Sequence, residues 1–244
     1  MTTTFYRSTE ELRFKLACLM IEKAKDAGYP VVVVDGSPTP DVAQAFCGMG
    51  AMVFPEVTRG VGGPLSLGPS RRLACFLARE LAGRKGMLGV ITYVWLEPEK
   101  HDMIRLMDEF VFSIKRGEAN VAVLGRSEKS WQTYPAFQRE TEAKANEAFA
   151  AVTGRQGLDP MSGPMAFDWK AFPLFLGADG REFGVEDGYI HQIGLIRAIR
   201  QKLIIRSVEL DFRYPPEQKA EEEGPLREAI EKKRMVSLSE MHKP

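Results

Sequence analysis

Val31-Val32-Val33-Val34-Asp35-Gly36-Ser37 is the stretch on which the reading of this chain turns. Four consecutive apolar β-branched residues suit a strand buried on both faces of a parallel sheet. The Asp-Gly that follows ends the strand in a turn. In an open α/β sheet, ligands bind in the crevice beyond the carboxyl ends of the strands. An acid placed there can accept hydrogen bonds from a base or a ribose, and glycine lets the backbone approach a ligand closely. An ordinary Asp-Gly turn has the same residues, so the motif needs company before it means a site.

Working outward, residues 2–6 read as a short strand rich in β-branched and aromatic residues. Ser8-Thr9-Glu10-Glu11 gives a helix-start signal, and Leu12, Leu16, Leu19, Met20 and Ala24 recur at helical spacing to about Asp26, where Gly28 stops the helix. Beyond Ser37 the pattern repeats: helix 41–48, strand 51–54, a helix ending near Gly83, strand 89–95, helix 98–116 and strand 120–124. Strands alternating with helices predict an α/β domain, a mostly parallel mixed sheet with helices on both faces. The second half is less regular, with a long helix predicted over 133–153, a loop and short strand over 159–167, a helix over 185–201 and a strand over 203–212. From Pro215 the composition turns charged, as in Lys219-Ala220-Glu221-Glu222-Glu223. The chain therefore divides into a domain at 1–214 and a helical tail at 215–244, which either covers the domain or forms an oligomer contact.

Lys+Arg and Asp+Glu are both 33, and this balance does not suggest nucleic acid or an anionic membrane as a partner. Cys18, Cys47 and Cys75 match neither a zinc pattern nor a disulfide framework, and they read as small hydrophobes. No leader-like segment opens the sequence, and no apolar run approaches the ~20 residues needed to span a bilayer. These features predict a reduced, soluble, cytoplasmic protein.

Two further features follow buried strands. Thr58-Arg59-Gly60-Val61-Gly62-Gly63-Pro64-Leu65-Ser66-Leu67-Gly68-Pro69-Ser70-Arg71-Arg72 runs small residues into a helix start. Such an end offers free N–H groups and a positive dipole to an anion, and Arg71 or Arg72 can pair a phosphate. The spacing is neither a Walker loop nor a dinucleotide fingerprint. In Trp95-Leu96-Glu97-Pro98-Glu99-Lys100, Glu97 and Glu99 offer hard oxygen ligands to Mg²⁺ or Mn²⁺ beside a diphosphate. Pro with Glu beside it is also a normal helix start, and Lys100 can neutralise either acid.

In this order the three motifs resemble glycosyltransferase family 2 and its GT-A relatives, over roughly residues 2–214. That resemblance implies a nucleotide-holding Asp35-Gly36-Ser37, then a glycine-containing helix start, then a metal motif in which Glu97-Pro98-Glu99 replaces the family's Asp-x-Asp. Val121-Ala122-Val123-Leu124-Gly125-Arg126-Ser127 is similar to a later family strand and turn. The segment from Asp159 to Phe167 looks like the acceptor side. Phe183-Gly184-Val185-Glu186-Asp187 resembles the segment supplying the general base of inverting members. Glucosyl- and mannosyl-glycerate synthases are more distantly similar; their late metal-binding histidine is replaced here by Arg213-Tyr214-Pro215. His191 follows Glu186 and Asp187 and can either substitute for it or pack structurally.

The resemblance implies a hexosyltransferase that moves a sugar from a nucleotide-diphosphate donor to a hydroxyl acceptor. Asp35, Gly36, Ser37, Arg71 and Arg72 would bind the donor, and Glu97 and Glu99 a divalent metal. Asp187 or Glu186 would be the base, with Asp159 and Trp131 on the acceptor side. A sugar-phosphate nucleotidyltransferase is a rival, although Tyr6-Arg7-Ser8-Thr9 lacks the glycine such an enzyme wants after its first strand. A non-catalytic GT-A-like binding protein is another.

Overall fold

The computed structural model describes residues 1–56, 67–87, 89–184, 188–224 and 228. In chain order the first half gives β1 (Thr2–Thr4), α1 (Leu12–Asp26), β2 (Val32–Asp35), α2 (Pro40–Gly48), β3 (Met52–Pro55), α3 (Leu67–Arg84) and β4 (Tyr93–Trp95). A 3₁₀ helix (His101–Leu106) then runs into α4 (Met107–Lys115), followed by β5 (Val121–Arg126), α5 (Glu128–Thr133) and α6 (Ala136–Thr153). The remainder comprises β6 (Met165–Phe167), α7 (Phe172–Leu176), α8 (Ile190–Arg200), β7 (Ile205–Leu210) and α9 (Pro216–Glu223).

β1, β2 and β3 pair in parallel, in that spatial order. A second group runs β4-β6-β5-β7, where β6 is antiparallel to β4 and β5, and β7 is parallel to β5. The backbone of Met1 joins the groups: its nitrogen donates to Val94 O at 2.9 Å, and its carbonyl accepts from Leu96 N at 3.3 Å. β1 therefore lies beside β4, and the winding reverses direction between them. That reversal is the switch point at which an open α/β sheet forms its ligand crevice.

Alternating side chains feed two cores, as a sheet covered on both faces requires. From β5, Ala122 and Leu124 join Phe14, Met20, Phe46 and Phe110 on one face. Val121 and Val123 join Phe167, Phe172, Phe175 and Leu195 on the other. Each fully buried side chain of this size contributes roughly 1.5–3 kcal/mol.

Several elements differ from the sequence expectation. α1 starts at Leu12 rather than after Ser8, because Ser8 Oγ and Glu11 Oε1 instead satisfy the backbone of Glu10 and Arg7 in a preceding turn. Pro98 does not open a helix; Glu97-Pro98-Glu99 lies in a turn closed by Lys100 N donating to Glu97 O at 3.0 Å. The predicted helix 133–153 begins only at Ala136, since Pro135 holds extended backbone after α5. The strand predicted over 89–95 shortens to β4. α9 packs on α1, where Glu222 Oε1 accepts from Arg13 NH2 at 2.9 Å, Tyr214 OH at 2.9 Å and Gln218 Nε2 at 3.0 Å. Among the described residues, no helix is long and apolar enough to cross a membrane.

Candidate functional site

The end of β2 places Asp35 at the crevice, 7% exposed. Its Oδ1 accepts from Thr4 Oγ1 at 2.8 Å and from Ser37 Oγ at 2.6 Å. Ser37 Oγ in turn accepts from Tyr6 N at 2.9 Å. The carboxylate is thus fixed by hydroxyls of β1 and its own turn, with no basic partner among the described residues. Gly36 N donates to Thr4 O at 2.9 Å, so the Asp35-Gly36-Ser37 turn continues the pairing with β1.

The matching turn after β4 carries Glu97, whose carboxylate rests against Gly163. Gly163 has φ +94°, and a Cβ there would overlap the Glu97 carboxyl group. The backbone conformation therefore favours glycine, and a side chain there would also push the Glu97 carboxylate aside. Lys100 Nζ sits 3.1 Å from Glu97 Oε2, a charge contact without hydrogen-bond alignment, and donates to the carbonyl of Ser162. Burial is the largest influence and disfavours the Lys100 ammonium, but Glu97, Tyr134 and Glu142 together outweigh it, and the pKa stands above its ordinary value. Glu99 lies in a different electrostatic setting. Burial raises its pKa against the opposing pull of Arg13 on α1.

Among the described residues, no three His, Cys, Asp or Glu side chains gather where one ion could be held. Mg²⁺-type ions are commonly bound by one or two carboxylates plus substrate phosphates. Glu97, with its side chain 31% exposed, fits that mode; Lys100 already occupies one of its oxygens.

α3 brings Arg71 and Arg72 to different places. Arg71 donates to the carbonyl of Gly188 and lies over the Trp95 ring at 5.4 Å, beside the end of β4. Arg72 donates to Ala178 O at 2.9 Å, beyond the end of α7. Trp95 also stacks on His191, with centroids 4.2 Å apart. His191 is 3% exposed, and its Nε2 has no hydrogen-bond partner among the described residues. Burial first, and Arg71 second, hold its pKa well below the ordinary value.

Asp159 and Trp131 come together around a residue to which the sequence reading gave no role. Arg126, the last residue of β5, meets Asp159 through two bonds of 2.7 Å and also donates to Glu142. Its guanidinium lies 3.7 Å from the Trp131 ring centroid and 4.7 Å from that of Tyr134. Asn146 Nδ2 donates to Asp159 Oδ1 at 2.6 Å. Burial opposes the Arg126 charge, and Asp159 and Glu142 restore it, leaving the pKa above its ordinary value. A charged residue closing the otherwise apolar run 121–125 was the available signal. Trp95 and Lys100 likewise stood in a quoted motif without being given a binding role.

The glycine-rich stretch 57–66, Glu186, Asp187 and most of the tail after 224 lie outside the described residues. A cavity of about 500 Å³ opens at the opposite, N-terminal edge of the strands, lined by residues such as Met20, Val32, Ala82 and Tyr93. None of the candidate site residues lines it.

The chain has a GT-A-like α/β fold, as its match to solved glycosyltransferases of that fold shows. The particular structures are mycobacterial. Glucosyl-3-phosphoglycerate synthase from M. tuberculosis is 19% identical, with a TM-score of 0.57, over 100% of this chain and 81% of that one. The same synthase in complex with Mn²⁺, uridine diphosphate and glucosyl-3-phosphoglycerate is 18% identical, with a TM-score of 0.56, over 100% and 80% of the two chains. A further mycobacterial protein is 16% identical at a TM-score of 0.61, over 100% and 74%. No protein-family model matches the sequence, and no curated protein does.

Proposed function

We propose that this protein is a glycosyltransferase of hexosyltransferase type, moving a sugar from a nucleotide-diphosphate donor to a hydroxyl acceptor. The observation that carries this reading is the placement of two turns. Asp35-Gly36-Ser37 and Glu97-Pro98-Glu99 end β2 and β4, which flank β1 at the switch point of a GT-A-like sheet. The similar synthase binds Mn²⁺ and uridine diphosphate, which supports the same donor class here.

In this reading Asp35 accepts hydrogen bonds from the nucleoside, and the Gly36-Ser37 backbone closes on it. Arg71, already beside Trp95, faces the diphosphate, with Arg72 securing the same helix to Ala178. Glu97, with Glu99 in the same turn, would hold Mn²⁺ or Mg²⁺. A bound ion supplies Lewis-acid stabilisation of the leaving diphosphate. Asp187 or Glu186 takes the acceptor proton if the configuration inverts. Asp159 fixes Arg126 against Trp131 as the acceptor-side wall. The unpaired Cys18, Cys47 and Cys75 fit a reducing cytoplasm. The tail from 215 packs on the domain or meets a second copy.

Thermal shift with UDP, GDP and their sugars, with and without Mn²⁺, tests the reading. A ligand at a hundredfold excess over its Kd stabilises the fold by about 2.7 kcal/mol. The expected result is stabilisation by one nucleotide diphosphate that increases with Mn²⁺ and is lost in Asp35→Ala. No response to any nucleotide overturns the proposal. The Lys100–Glu97 contact favours one second reading, a GT-A-like protein that binds a nucleotide sugar without turnover. Nucleotide binding without sugar transfer or hydrolysis of any donor would select it.

A further inference from the structure

Lys100 is built into the turn that the proposed reaction assigns to metal. Its ammonium stands 3.1 Å from Glu97 Oε2, and its side chain is 11% exposed. A hydrogen bond to the Ser162 carbonyl holds it in place, and that carbonyl directly precedes Gly163. Gly163 in turn presses on the same Glu97 carboxylate. The lysine and the glycine therefore grip one carboxyl group from two sides.

A divalent ion bound by Glu97 needs at least one carboxylate oxygen, and Lys100 holds a unit positive charge against one of the two. The ion and the ammonium cannot share that position without strong repulsion, since like charges a few ångströms apart in a half-buried turn interact strongly.

We propose that Lys100 is the resident counter-ion of Glu97 and that a divalent cation binds there only by displacing it. Lys100 thereby sets how much Mn²⁺ or Mg²⁺ the protein needs. This is an inference about metal affinity; it rests on the metal assignment in the proposed transferase but not on sugar transfer itself.

The test measures Mn²⁺ binding to the full chain by the loss of the free-ion EPR signal, with no nucleotide present. Lys100→Gln keeps a donor for the Ser162 carbonyl and removes the charge, whereas Lys100→Arg keeps the charge. The expected result is Mn²⁺ binding at least about tenfold tighter in K100Q than in the wild type, and unchanged in K100R. The gain should vanish in E97Q/K100Q. Equal Mn²⁺ affinity in K100Q and wild type overturns the proposal, whether both bind weakly or both tightly. A gain that survives E97Q also overturns it, because the ion then sits elsewhere. Circular dichroism confirms that each variant is folded. UDP binding, measured in parallel, reports on the transferase reading separately, so either conclusion can fail alone.

Discussion

At the scale of single residues, Gly163 is the most constrained position near the site. Its positive φ strains any side chain, and a Cβ there would force the Glu97 carboxyl group to move. Gly163→Ala should therefore destabilise the fold by roughly 1–3 kcal/mol, through strain at φ > 0 and displacement of Glu97. Urea denaturation checks this; an unchanged midpoint would show that the 160–164 segment relaxes freely. Arg126 is constrained in another way. With both oxygens of Asp159 taken up by its guanidinium, Asp159 is a support for that arginine rather than a free acid facing an acceptor.

At the scale of elements, α9 is held to α1 chiefly through one acid. Glu222 is 6% exposed and accepts from Arg13, Tyr214 and Gln218. Removing it leaves a buried tyrosine hydroxyl and a part-buried guanidinium without that acceptor. Glu222→Ala should cost about 1–3 kcal/mol, with Glu222→Gln recovering part of the loss. Guanidinium-chloride titration of the two variants reads the difference, and equal midpoints for E222A and wild type would refute the docking argument. The elements themselves were unevenly legible. β2 could be read directly, because four buried β-branched residues leave little choice, and β5 almost as easily. The turn at Pro98 could not. Pro after Glu is a good helix start on local grounds, whereas the observed turn seats Glu97 against Gly163, 66 residues later in the chain, a contact that no local pattern records. The break at Pro135 was visible in the sequence but was outvoted by the helical periodicity around it.

At the scale of the whole molecule, His191 ties stability to pH. Its imidazole is buried beside Trp95, and burial, then Arg71, keep its pKa well below the ordinary 6.5. The unfolded chain takes up a proton near that value, while the folded chain does not. Stability is thus full above about pH 6.5 and falls as the pH drops below it, with a slope of up to about 1.4 kcal/mol per pH unit from this group. Melting temperatures between about pH 7.5 and 5 should show a steeper fall for the wild type than for His191→Phe. Parallel profiles would mean that the folded state protonates His191 freely. The sheet order was legible only in outline. Alternation of strands and helices predicts a mostly parallel mixed sheet, but the antiparallel insertion of β6 between β4 and β5 depends on pairings that no local pattern records. The same holds for the site. The motif order pointed to the two turns, whereas the lysine standing on Glu97 and the arginine behind Asp159 depend on contacts 3 to 33 residues apart.

The Arg126 cluster has a consequence for inheritance. Arg126 is the one cation shared by Asp159 and Glu142, so losing it strands two acids in the interior, and losing Asp159 leaves the cation with Glu142 alone; Asn146 and Trp131 support the pair. Descent with modification can therefore keep the group or replace it wholesale, but stepwise erosion passes through an unpaired interior charge that selection would remove. Among relatives, Arg126 and Asp159 should be kept or lost together, as a single heritable character.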